Sequence, residues 1–112
     1  MKYPEDFINK VIQGDCLEIM KSMPDKCVDL VLTDPPYGIN FKPHLKKWNG
    51  DKNNYKKIDN DDGNLDYGFI ISELERIGKR VIIWGAENFY QYLPHRGSWI
   101  CWDKRPPHIT NE

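Results

Sequence analysis

The sequence predicts an α/β fold, a mainly parallel sheet with helices laid against it. Three observations carry this expectation. Short apolar runs alternate with segments of helical spacing along the chain. Val28, Leu30, Val31 and Leu32 are too densely apolar for a half-exposed strand and suit a central strand covered on both faces. Asp15, Asp34 and Gly85 all fall where apolar runs end, at the rim where open α/β sheets bind their ligands.

The elements follow in order. Lys10–Asp15, "KVIQGD", reads as a short strand ending at a glycine. "CLEIMKSM" then spaces Leu17, Met20 and Met23 three apart on one helical face, with Asp15 at the N-cap and Glu18 three positions later in a capping-box arrangement. Residues 27–33, "CVDLVLT", form the second strand, delivering Asp34-Pro35-Pro36-Tyr37. A polar stretch, residues 40–63, has few aliphatics and many turn formers and reads as a long loop. "NLDYGFIISELERIG" recovers helical spacing through Tyr67, Ile70, Ile71, Leu74 and Ile77, with Gly78 as its stop. "KRVIIWG" is a third strand, "AENFYQYL" a short helix closed by Pro94, and "SWICWDK" a fourth strand.

Bulk properties bound the function. The 112 residues make one small domain, and 39% apolar with 29% charged residues describe a soluble globular protein. A net charge of −1 gives no global attraction to nucleic acid, so any basic site is local. No apolar run approaches membrane length and the first residues lack the apolar core of a signal peptide, so a cytoplasmic protein with no membrane partner is expected. Cys16, Cys27 and Cys101, with His44, His95 and His108, lack metal-ligand and disulfide-framework spacing; free thiols and no metal site are expected.

The Asp34–Tyr37 turn offers a carboxylate, a flat aromatic face, and two prolines that fix φ and remove backbone donors, leaving nearby carbonyls free to accept. A ligand with an aromatic ring and an amino group donating two hydrogens suits all three, and a nucleobase is such a ligand. The alternative is a rigid turn whose tyrosine packs on a neighbouring helix.

"VIQGDCLEIMKSMPDKCVDLVLTDPPYGI" resembles the opening of an amino-group DNA methyltransferase of the adenine-N6 or cytosine-N4 type, and "RVIIWGAENFYQYLPHRGSWICWDKR" is similar to the segment after the catalytic turn in phage and restriction-modification members. The resemblance implies a Rossmann-like methyltransferase fold using S-adenosylmethionine on double-stranded DNA. It implies that Asp34 and the main-chain carbonyl of Pro35 accept from the target amino group, with Pro36 stiffening the turn. Tyr37 is implied to stack on a base flipped out of the duplex, and Asp15, Cys16 and Asp34 to touch the cofactor. Asp rather than Ser at the first position of the turn leans toward adenine. Asp15 has a competing reading as a helix cap, and its two oxygens allow both.

Between Phe41 and Lys57 lie Lys42, Lys46, Lys47, Lys52, Lys56 and Lys57 against one acid, with Trp48 and Tyr55 interleaved. Beside a base pocket, Lys42, Lys46, Lys47, Lys56 and Lys57 suit phosphate contacts and Trp48 a stacking or wedging role; a solvated surface loop is the alternative.

The chain departs from the family in one respect. No two of its glycines fall one residue apart, so the glycine-rich cofactor loop has no counterpart, nor has the acidic strand end that holds the cofactor ribose. Residues 1–112 therefore read as a truncated, partial methyltransferase domain, inactive alone and needing self-association or a completing C-terminal half. The apolar strands must then pair directly or leave open edges. Two other readings stay open: a non-catalytic nucleic-acid- or nucleotide-binding module, and an α/β fragment whose apolar edges drive oligomerisation.

Overall fold

The structure, a computed structural model, describes residues 1–41, 57–95 and 97–103. Its elements run α1 (Cys16–Met20), β1 (Val31–Thr33), α2 (Tyr67–Ile77), β2 (Val81–Ile83) and a 3-10 helix (Ala86–Tyr92). β1 and β2 pair in parallel with Val31 opposite Val81, Leu32 opposite Ile82 and Thr33 opposite Ile83, and a bridge from Val28 to Gly78 extends the pairing backward. α2 is the crossover between them, the βαβ arrangement that parallel strands require. The expected α/β layer with a parallel sheet is present, as two strands.

α2 forms where its apolar spacing and caps agree. The Asp66 side chain accepts from the Phe69 amide at 2.9 Å, satisfying one open donor of the first turn. Tyr67, Ile71, Leu74 and Ile77 are buried and Ile70 is half-buried, so one continuous stripe faces the sheet. The helix stops at Gly78, in extended rather than left-handed backbone. Close approach is why glycine stands there: a Cβ would lie 2.8 Å from Val31 Cγ2 and 3.0 Å from the Leu74 carbonyl oxygen.

The core has two parts strung along α2. Met20, Leu74 and Ile77 pack with Leu17, Met23, Cys27, Val31 and Val81 near the start of the strands. Tyr67, Ile71 and Phe89 pack with Tyr37, Leu65 and Leu93 at the other end of the helix. Arg76 ties α2 to α1 through carbonyl oxygens left over at the end of the short helix. Its guanidinium donates to Met20 O at 2.9 Å and Met23 O at 2.8 Å, while pairing with Glu73 and Asp25.

Three strand expectations are corrected. Residues 10–15 are unpaired, with Val11 fully exposed. The segment 97–103 forms no strand, its Trp102 ring meeting Trp84 edge-on at 5.4 Å. Among the described residues β1 is covered on one face, by α2, and Leu32 on the other face is 61% exposed. The reason is common to all three. A strand is held by a neighbour's ladder, and β1 and β2 have each other while no third strand lies among the described residues. The glycine-aspartate run thus takes the open-edge alternative rather than pairing with β1. No helix among the described residues is long and apolar enough to cross a membrane.

Candidate functional site

β1 and β2 run parallel, so their carboxyl ends lie together. The Trp84 amide donates to Thr33 O at 2.9 Å as the last rung, and the next residues out are Asp34 and Gly85. This is the rim on which open α/β sheets gather ligands. Asp34 is exposed there, and Pro35, Pro36 and Tyr37 follow as a half-buried turn.

Tyr37 is packed from below. Gly85, at φ +65°, lies under its ring so closely that a Cβ would come 2.3 Å from Cε1. Phe89 meets the same ring edge-on, with centroids 6.1 Å apart. The Tyr37 hydroxyl donates to Asp34 Oδ1 at 2.6 Å. That bond, together with burial, pushes the phenol up to about 12, since ionising it would set a phenolate against a carboxylate. Asp34 Oδ2 accepts no hydrogen bond among the described residues. The turn is therefore the rigid, helix-packed feature of the alternative reading and also a presented carboxylate.

After Tyr37 the chain bends around a residue that sequence reasoning missed. Asp61 is 2% exposed. Its Oδ1 accepts from the amides of Gly38 at 2.8 Å and Ile39 at 3.2 Å, its Oδ2 from Phe41 at 2.7 Å, and its main-chain carbonyl from Asn40 at 2.6 Å. Four successive amides thus converge on one residue. The Phe41 amide leads the hydrogen bonds that hold the Asp61 carboxyl below the usual range, outweighing burial, which acts in the opposite sense. In the sequence Asp61 sits among Asp59, Asn60, Asp62 and Gly63, a composition that reads as a solvated turn. No local pattern marks it as an anchor for residues twenty positions away.

A cavity of about 400 Å³ opens over the turn. Asp34, Tyr37 and Asp61 supply its polar atoms, and Pro35, Pro36, Ile39, Phe41 and Ile58 its apolar walls. A second cavity, about 470 Å³, opens among Tyr3, Phe7, Ile12 and Cys27 and contains no residue of the Asp34–Tyr37 turn, nor Asp15 or Cys16. Its one carboxylate, Asp29, is turned to Lys79 at 2.7 Å. Beside the turn, the Tyr67 hydroxyl is buried without a hydrogen-bond partner among the described residues, and a Cβ on Gly38 would lie 2.6 Å from it.

The other expected residues are less gathered. Asp15 caps α1, its Oδ1 accepting from Leu17 N at 2.8 Å and Glu18 N at 3.4 Å, while Oδ2 accepts no hydrogen bond among the described residues. Glu18 turns to Lys21 at 2.7 Å and leaves the capping box half made. Cys16 opens α1 with an exposed thiol. Neither Asp15 nor Cys16 lines either cavity. Lys57 is exposed beside Ile58; Lys42, Lys46, Lys47, Trp48 and Lys56 lie outside the described residues.

Comparison with known proteins finds partial matches to DNA methyltransferases. The chain is similar to the type II methyltransferase M.HinfI of Haemophilus influenzae, 40% identical over 47 residues, which are 42% of this chain and 13% of that protein. It is similar to the type II methyltransferase M.BglII of Bacillus subtilis, 45% identical over 38 residues, 34% of this chain and 11% of that protein. With the type II methyltransferase M.BamHI of Bacillus amyloliquefaciens it shares 44% identity over 32 residues, 29% of this chain and 8% of that protein. These matches support the resemblance to DNA methyltransferases, over stretches that span between 8% and 13% of each relative's length. No family model and no solved structure matches the chain.

Proposed function

We propose that this chain carries the catalytic turn of a site-specific DNA methyltransferase, acting on the exocyclic amino group of a base drawn out of the duplex, adenine N6 before cytosine N4. The observation that carries the reading is Asp34, presented at the carboxyl end of β1 on a cavity lined by the aromatics Tyr37 and Phe41 and by apolar walls. Such a cavity suits a planar base. Asp34 Oδ2 and the Pro35 carbonyl would accept the two amino hydrogens, drawing the nitrogen lone pair out of ring conjugation. Tyr37 would support the base, and the catalytic gain is mostly orientation, with no covalent intermediate on the chain.

S-adenosylmethionine, which the family resemblance implies, supplies an electrophilic methyl when bound. Asp15 fits its adenine edge with one carboxylate oxygen to spare, and the Cys16 main chain would stand beside it. No described cavity encloses the rest of that molecule at Asp15, so complete activity belongs to a polypeptide or assembly that supplies the remainder. Lys42, Lys46, Lys47, Lys56 and Lys57 would hold phosphates, with Trp48 against bases.

The packing of Tyr37 on Gly85 favours one second reading, a nucleotide-binding module whose turn is rigid and not catalytic. Nucleoside analysis of duplex DNA incubated with S-adenosylmethionine and the completed enzyme separates the two. N6-methyladenine is expected; binding without any methylated base would leave the second reading.

A further inference from the structure

Resting on the reading above, we infer that Asp61 is a positioning residue for the catalytic turn, holding the strap Gly38–Phe41 and, through it, the Asp34–Tyr37 pair and the cavity wall.

The geometry of the strap carries this. A loop following two prolines has few donors to tie down, because Pro35 and Pro36 have no amide hydrogen. Beyond Tyr37, the four amides of residues 38 to 41 all donate to Asp61, three to its carboxylate and one to its carbonyl. A buried carboxylate is costly unless its lone pairs are filled, and backbone amides filling them are themselves satisfied. The two groups therefore need each other, and the pairing has one geometry. That geometry sets Ile39 and Phe41 as cavity walls and fixes the backbone immediately after Tyr37.

The strap also passes through left-handed backbone at two positions. Gly38 has φ +71° and Asn40 φ +50°, the left-handed region open to glycine and tolerated by asparagine. Nothing else described reaches these amides, so without the carboxylate the strap loses its reason to bend. Tyr37 would then be held from below by Gly85 and Phe89 but not from the chain after it. Asp61 touches no reacting atom under the proposed function; it acts through the strap.

The test is read on the 112-residue chain by NMR, without DNA or cofactor, with Tyr37 assigned by its loss in Tyr37→Phe. In Asp61→Asn one acceptor oxygen becomes an NH2 that confronts an amide hydrogen of the strap. The Tyr37 phenol should then ionise nearer the ordinary value of roughly 10 instead of about 12, while the methyl signals of Leu74 and Ile77 stay in place. Glu87, which also raises the phenol, is unchanged in this variant. An unmoved Tyr37 titration with an intact core overturns the inference.

Should Asp61→Asn unfold, the wild-type chain decides. On acidification the Gly38, Ile39 and Phe41 amides and the Tyr37 ring signals should move together, with one midpoint below the usual carboxylate range. Independent midpoints overturn the inference. A shared midpoint without any methyl transfer by the completed enzyme would keep the role of Asp61 and remove the methyltransferase reading; methyl transfer with independent midpoints would do the reverse.

Discussion

The Tyr37 hydroxyl and Asp34 Oδ1 lie 2.6 Å apart, so the aromatic and the carboxylate of a single turn hold each other. They stand three positions apart, and the two prolines between leave the turn few other ways to bend. Among the described residues Oδ2 accepts no hydrogen bond, while Oδ1 is taken by the phenol.

The bond has an alkaline signature. The neutral phenol is the form the fold favours, so its contribution is complete below roughly pH 10 and is lost as pH rises through about 12. Subtracting the phenolate absorbance of Tyr37→Phe from that of the wild-type chain should leave one ionisation near 12. A difference curve centred on the ordinary tyrosine value would show that the bond is absent in solution.

Gly85→Ala should free the ring. The new methyl would overlap Tyr37 Cε1, and the backbone there has φ +65°, so both must shift. We expect a loss of at least about 1 kcal/mol in a urea unfolding titration, with the Tyr37 ionisation moved downward in the folded protein. Unchanged stability and an unchanged phenol would mean that the ring does not rest on this glycine.

What the sequence made legible was local. The stripe Tyr67, Ile70, Ile71, Leu74 and Ile77 carries its own period, and the α2 helix follows it to Gly78. Asp15 as a cap and the turn at the end of β1 were legible for the same reason: the residues that define them are neighbours. Strand pairing is not local. "KVIQGD" and "SWICWDK" have strand composition, yet a strand exists only beside another, and no described strand lies next to either. Asp61 was illegible because its partners, Gly38 to Phe41, lie twenty or more positions away across a polar stretch. The second oxygen of Asp34 and the packing of Tyr37 on Gly85 likewise depend on two strand ends meeting.

Acid should weaken the fold. Asp61, beside the Phe41 amide, and Glu73, beside Arg76, are both held below their ordinary range. The folded chain then binds fewer protons than the unfolded one near pH 4, so the contribution is full above that range and lost as pH falls through the lowered values. Unfolding midpoints in urea should drop below roughly pH 4, and Asp61→Asn should flatten the drop. A midpoint independent of pH down to 2 or so would contradict both assignments.

Replacing Lys46, Lys47, Lys56 and Lys57 together by glutamine should weaken DNA binding by similar factors on unrelated sequences. The logarithmic salt slope should flatten by roughly 0.9 for each phosphate that is no longer neutralised. Binding measured across a salt series with an unaltered slope would return the stretch to a solvated loop.

The central claim is that Asp34 orients the amino group that is methylated. Its most direct measurement is the single-turnover rate of methyl transfer to duplex DNA by the completed enzyme, wild type beside Asp34→Ala, with DNA affinity measured in parallel. Misplacing a reacting group costs about a hundredfold or more, so Asp34→Ala should slow transfer by at least that factor while DNA affinity stays close to wild type. Transfer at the wild-type rate in Asp34→Ala would contradict the claim.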